Sequence, residues 1–205
     1  MSLVTEVNTA LAIDRSISEN KGDQLAIRYR DKRYSYNDLA ALMNRAGNML
    51  KKNNVGMGDQ ILVAVSASPS LVASVLGAMK IGATSIVVPN NVSEKEIATL
   101  STKKVRLLIV DAARLSEFGS IQSKHLVVGD TGQDQPSFLQ EMRTSSSSLG
   151  RTSDTDEGPA LGIIGTDGIF WFNHKQIADQ DPKLEKFDIG QILAHLTRGE
   201  EVTLS

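Results

Sequence analysis

Apolar positions along this chain alternate between two periods. The stretch "QLAIRYRDKRYSY" (24–36) holds two alternating runs around the polar tip Asp31-Lys32, which predicts a β-hairpin with "RYRDKR" as its solvated tip. Ser35 and Asp38 make the S-x-x-D capping pattern that starts a helix. Behind it Leu39, Leu42, Met43, Ala46, Met49 and Leu50 recur at helical spacing, until the two glycines of "VGMGD" (55–59) end the run. "QILVAVSA" then reads as a buried strand, and Ser68-Pro69 as an N-cap followed by proline at the first helical position. The next helix carries Leu71, Val72, Val75, Leu76 and Met79 on one face and stops at Gly82, with Gly77 inside it allowing close packing onto a sheet.

The alternation repeats. "TSIVVP" is a strand, and "SEKEIATLSTKK" a helix with a second capping pattern at Ser93 and Glu96. "VRLLIVDA" is a strand, 113–121 a short helix, and "HLVVGD" a strand. Short β-branched runs alternating with helices predict a three-layer α/β domain: a mostly parallel sheet flanked by helices. Residues 144–158, "TSSSSLGRTSDTDEG", hold a single apolar residue, Leu149, and are expected to be a flexible polar loop between residues 1–143 and a C-terminal part, 159–205, that completes the same domain. The latter opens with a strand, passes through polar "KQIADQDPKLEK", and ends in "FDIGQILAHLTRGEEVTLS", read as one amphipathic helix and a frayed end.

Composition narrows the function classes. Aromatics are 4% of residues, too few for base-stacking platforms, and the scattered basic residues, Lys+Arg 22 against Asp+Glu 24, argue against a nucleic-acid partner. The chain has no cysteine, which removes thiolate catalysis and Cys-based metal sites, and His125 and His195 lack zinc spacing, so no metal is expected. No apolar run approaches the roughly 18 residues of a membrane span, nor has the N-terminus the form of a signal peptide, so a cytoplasmic protein without a membrane partner is expected.

One passage carries candidate chemistry: "GPALGIIGTDGIFWFNHKQI" (158–177), with Gly162, Gly165 and Gly168 at three-residue spacing between two apolar runs. Gly165, Thr166, Asp167 and Gly168 fit a turn that grips a phosphate through backbone N–H groups. They also fit a tight hairpin, because a D-G pair between apolar runs is a hairpin signal. Asp167 favours the hairpin, since its carboxylate would repel a phosphate and no nearby cation is evident in the sequence. His174 lacks a partner at recognisable spacing and reads as a turn or surface residue rather than a base. Phe170, Trp171 and Phe172 predict a buried strand; the alternative role, shared with His174, is to contact a ligand or form an interface.

The order of elements resembles the N-terminal part of adenylate-forming enzymes: acyl- and aryl-CoA ligases, adenylation domains of peptide synthetases, and luciferases. The resemblance rests on "SYNDLA", "VGMGDQILV" and "SLVASVLGAMKIGATSIVVP" within residues 25–91, and continues more weakly through "VRLLIVDA" to the end. "QPSFLQEM" and the polar gap after it look most like the aryl-CoA ligase branch. In that family a strand leads into a Thr/Ser/Gly-rich phosphate loop ending in proline, lysine and glycine, and a second strand leads to a histidine turn. Here "ALGIIGTDG" matches the first strand and half the loop, and "IFWFNHKQI" the second strand with His174. The rest of the loop, lysine included, is absent between Gly168 and Ile169, and the family's adenine-binding strands, magnesium carboxylate, acyl pocket and mobile C-terminal domain would follow beyond residue 205. The resemblance therefore implies a truncated relative, inactive alone, for which no cofactor is expected and ATP or AMP binds weakly at best. Its expected partners are a second copy of itself or an intact ligase, and a small acyl or aryl ligand. The rival expectation is one half of a split AMP-forming ligase completed by a second chain.

Overall fold

The computed structural model describes residues 8–100, 104–130, 136–150 and 158–205. Helix α1 (Thr9–Ser16) precedes the hairpin of β1 (Leu25–Tyr29) and β2 (Lys32–Ser35). Ser35 and Asp38 close a reciprocal capping box at the start of α2 (Tyr36–Lys52). Strand β3 (Gln60–Ala64) leads to α3 (Pro69–Lys80), where the Ser68 hydroxyl accepts from Leu71 N–H and proline fills the first turn. Then come β4 (Thr84–Val87), α4 (Glu94–Leu100), β5 (Leu107–Asp111), β6 (Lys124–Val128), α5 (Phe138–Arg143), β7 (Pro159–Gly165), β8 (Gly168–Asn173), α6 (His174–Ala178), α7 (Asp188–Thr197) and β9 (Val202–Leu204).

Six strands form the main sheet in the order β6-β5-β3-β4-β7-β8, parallel throughout except for β8, which runs antiparallel to β7. Period-two alternation sends Ile61, Val63, Leu107 and Ile109 into the larger core beneath α1, α2, α3 and α7. Their neighbours Leu62, Ala64, Leu108 and Val110 enter a smaller core beneath α4 and Phe118. Both faces are thus covered, as a parallel sheet requires, and the α/β layering is as the sequence predicts.

Several local expectations are corrected. The C-terminus is not frayed: β9 pairs in parallel with β1, Ile27 opposite Val202, in a three-stranded sheet of order β2-β1-β9. Alternation in "VTL" is too short to signal a strand, and only the long-range partner makes one. The short helix expected over 113–121 is a 3-10 helix at Ala112–Phe118. Gly77 faces α2, not the sheet: a Cβ there would lie 2.7 Å from Ala46 Cβ and 2.8 Å from Gly47 N. The polar segment expected to be a flexible loop over 144–158 is tied down at its start. Asn44 donates to Ser147 O at 2.9 Å, Asn48 to Ser146 O and Ser148 O, and Leu149 packs against the main core. Residues 151–157 lie outside the described residues.

Candidate ligand cleft and the glycine-spaced hairpin

The helix following β3 covers one face of the sheet and the helix following β4 covers the other. The chain therefore parts at the carboxyl ends of these two strands, the place where open α/β sheets present a crevice. A cleft of ≈ 630 Å³ opens there, within the size range of small-ligand sites. Its walls are apolar, with Val65, Leu71, Val87, Ile163 and Phe187 among them, and Ser66, Asn90 and Thr166 supply polar contacts.

The mouth is held by hydrogen bonds. Ser66 N–H and hydroxyl both donate to Asp111 Oδ2, at 2.8 and 2.7 Å, joining the ends of β3 and β5. Arg114, 7% exposed, donates through Nη1 to Val88 O at 3.0 Å and Asn90 Oδ1 at 3.2 Å, pinning the turn after β4. Three charged groups line the cleft: Glu96, Asp188 and Lys186. Hydrogen bonds from the Ser93 hydroxyl and N–H hold the Glu96 carboxyl below its ordinary range. Lys186 lines the same cleft as Thr166. It stands twenty residues downstream in a polar run with no spacing signal, so periodicity gave no reason to select it. Among the described residues, no group of three or more His, Cys, Asp or Glu forms a metal cluster.

The glycine-spaced passage is a β-hairpin. The β7–β8 ladder stays paired from Ile163↔Phe170 through Gly165↔Gly168, which leaves Thr166 and Asp167 as a two-residue turn. Each glycine has a steric reason. Gly168 sits at φ 116°, a conformation side chains avoid. Gly162 seats the Trp171 ring and Gly165 the Phe170 ring: an added Cβ would lie 2.8 and 2.7 Å from them. Thr166 lines the cleft, while Asp167 is exposed and makes no ion pair among the described residues.

The aromatic run divides between environments, correcting the uniformly buried strand. Phe172 is buried at 2%, whereas Phe170 and Trp171 are 36% and 39% exposed. Strand β8 is the edge of the main sheet: Phe172 joins the main core, Phe170 lies on the same face but nearer the hairpin tip, and Trp171 lies on the opposite face. Phe187 packs against both Phe170 and Phe172, with centroid separations of 5.6 and 6.5 Å, forming an aromatic wall of the cleft.

His174 is also corrected: it is 4% exposed, not a surface residue. Its Nδ1 accepts from Thr9 N–H at 3.2 Å and lies 3.2 Å from Thr9 Oγ1. The helix that begins at His174 is capped reciprocally by Asn173 and Gln176, a pattern present in the sequence as N-x-x-Q. The histidine thus joins the end of the hairpin to the start of α1.

The structure is thus a three-layer α/β domain with a cleft at the carboxyl ends of β3 and β4 and a glycine-spaced hairpin at its rim. The sequence profile of AMP-binding enzymes matches residues 13–182, and the chain belongs to that family. It is similar to the 3-hydroxybenzoate–CoA/4-hydroxybenzoate–CoA ligase of Thauera aromatica, 32% identical over 110 residues, which is 53% of this chain and 21% of that ligase. The acetyl-coenzyme A synthetase of Bacillus subtilis is 38% identical over 77 residues, 35% of this chain and 14% of the synthetase. Among solved structures, an anthranilate CoA ligase in complex with anthranoyl-AMP superposes with a TM-score of 0.84 at 19% identity, covering 97% of this chain and 45% of the ligase. The matched region thus spans about a fifth of the hydroxybenzoate ligase and under half of the solved ligase. The fold is that of the N-terminal subdomain of acyl-CoA ligases. No helix among the described residues is long and apolar enough to cross a membrane.

Proposed function

We propose that this acyl- and aryl-CoA-ligase-like chain does not adenylate a carboxylate by itself, and works as a binding or regulatory module that takes a small acyl or aryl ligand in the β3–β4 cleft. The observation that carries this reading is the two-residue turn Thr166-Asp167, where the family's phosphate loop stands. Positioned cations and unpaired N–H groups at a transferring phosphate supply several kcal/mol of transition-state stabilisation. Here the turn offers a carboxylate and little free backbone. The apolar cleft walls and the aryl acids named in the relatives, hydroxybenzoate and anthranilate, support an aryl or acyl ligand. No cofactor is needed for this role.

The test is carboxylate-dependent exchange of pyrophosphate into ATP across a panel of aryl and acyl acids, together with calorimetry of ATP and AMP. Exchange should equal a boiled control, and nucleotide Kd should be no better than about millimolar, ~4 kcal/mol of binding. Exchange by the chain alone, or micromolar ATP affinity, overturns the reading.

The exposed edge of the main sheet is also compatible with a second reading, that of one half of a split AMP-forming ligase. Strand β8 presents an uncharged edge with Phe170 and Trp171 exposed, the kind of edge another chain can cover. A second copy of this chain or an intact ligase would cover it as well. Exchange that appears only after a separately expressed chain is added would select the split enzyme.

A further inference from the structure

A second cleft, of ≈ 470 Å³, lies between α2, the first turn of α3, and α5. It shares no lining residue with the first. Its walls include Leu42, Ala73, Phe138 and Met142; Ala73 and Phe138 are 0% exposed and Met142 6%, so the floor belongs to the main core. Tyr34 and two arginines, Arg45 and Arg143, complete it, and no carboxylate is among its described lining residues. The first cleft holds two acids and one lysine. In a chain of net charge -2, two arginines over an apolar floor set this cleft apart.

Arg45 is fixed in place. Its Nη1 donates to the carbonyls of Met142, Arg143 and Ser145, at 3.5, 3.3 and 3.3 Å, where α5 ends. Cations at a helix C-terminus are favoured there by the helix dipole. A guanidinium carries five N–H donors, so donors remain on Nε and Nη2 for a ligand. Arg143 is exposed and makes no ion pair among the described residues, and it can close on an anion from the other rim. A fixed arginine beside a movable one, above an apolar floor, suits a ligand with an apolar tail and an anionic head.

We infer that this second cleft binds a small amphipathic anion, with its tail against Phe138 and Met142 and its carboxylate or phosphate between Arg45 and Arg143. The inference is independent of the role proposed for the first cleft.

The experiment titrates the full chain with octanoate, octyl phosphate, octanol and octylamine, followed by backbone amide shifts and calorimetry. Octanoate and octyl phosphate should saturate, with the largest shifts around Tyr34, Leu42 and Met142–Arg143. Octanol and octylamine should bind at least about tenfold more weakly. Arg143→Glu, an exposed position that leaves the fold intact, should weaken octanoate about tenfold, and Arg143→Lys should retain most of the affinity. Leu42→Glu, which puts a carboxylate beside the floor, should abolish binding while the amide spectrum stays dispersed. Absence of saturation by either anion below about 10 mM, equal affinity for octanol, or unchanged affinity in Arg143→Glu overturns the inference. Shifts centred on Val65, Val87 and Ile163 also overturn it, by placing the anion in the first cleft.

Discussion

Replacing His174 by alanine is expected to lower stability, because the residue is a strut between the β7–β8 hairpin and α1. The first amide of an α-helix has no partner inside the helix. In α1 the second N–H, that of Ala10, is taken by Asn8 Oδ1 at 3.0 Å, and the first, that of Thr9, is taken by His174 Nδ1. Thr9 is 2% exposed, so water does not reach this N–H in the folded chain. Truncation to alanine orphans it, at about 1–3 kcal/mol, and the lost ring leaves a void worth ~1–2 kcal/mol more. A total near ~3 kcal/mol is a large part of the ~5–15 kcal/mol that holds a domain of this kind. With a urea slope of ~2 kcal/mol/M, the midpoint should fall by roughly 1.5 M. The single tryptophan, Trp171, stands three residues away and reports the hairpin by fluorescence, while far-UV circular dichroism reports the whole fold. His174→Asn keeps an acceptor near Nδ1 and should recover about half of the loss. A His174→Ala midpoint within about 0.3 M of the parent would refute the strut.

Gly77→Ala should destabilise by about 1–2 kcal/mol net in thermal or urea unfolding. The added methyl meets backbone of α2, and this overpacking exceeds the ~1 kcal/mol gained in helix propensity. The Tyr36 hydroxyl shares its proton between Leu196 O and Glu200 O, and burial, helped by the Glu200 carboxylate, pushes its pKa up to about 12. The unfolded chain gives up this proton first, near the ordinary value of 10.0, so stability should hold below that pH and decline as pH rises towards about 12. Tyr36→Phe should remove that slope while lowering stability at neutral pH by ~1 kcal/mol. Trp171→Lys should abolish self-association in sedimentation at high concentration while the circular dichroism stays unchanged; a parent chain that is strictly monomeric would sink the use of β8 as an interface.

The elements that could be read from the sequence are those whose signals are local. The Ser35–Asp38 and Ser93–Glu96 boxes sit within four residues, and the predicted helices start where they stand. The hairpin turn at Gly165–Gly168 was legible for the same reason. What escaped depends on distant partners. Strand β9 exists because β1 lies beside it, 175 residues away at Ile27 and Val202. His174 looked isolated because its partner, Thr9, is 165 positions earlier. Lys186 reaches the cleft through the turn between α6 and α7, and the apolar face of α7 puts Ile189, Ile192 and Leu193 into the chain's own core. The glycine spacing was visible, but not its purpose at Gly162 and Gly165, which depends on the aromatic rings opposite.

That purpose bears on how far one substitution can strengthen nucleotide binding. A phosphate loop works by leaving several successive N–H groups unpaired and aimed at the ligand. In this hairpin the β7–β8 register runs up to Gly165↔Gly168, so only Thr166 and Asp167 lie outside the ladder. Gly165 is further fixed by the Phe170 ring lying against it, and Gly168 by its positive φ. Asp167→Lys would replace a repulsive charge with an attractive one at an exposed turn, where a single ion pair is worth at most about 1 kcal/mol. It supplies charge without supplying the concave backbone. ATP affinity should therefore rise only severalfold in that variant, and a gain of a hundredfold or more, roughly 3 kcal/mol, would mean that electrostatics and not backbone pairing limits the site.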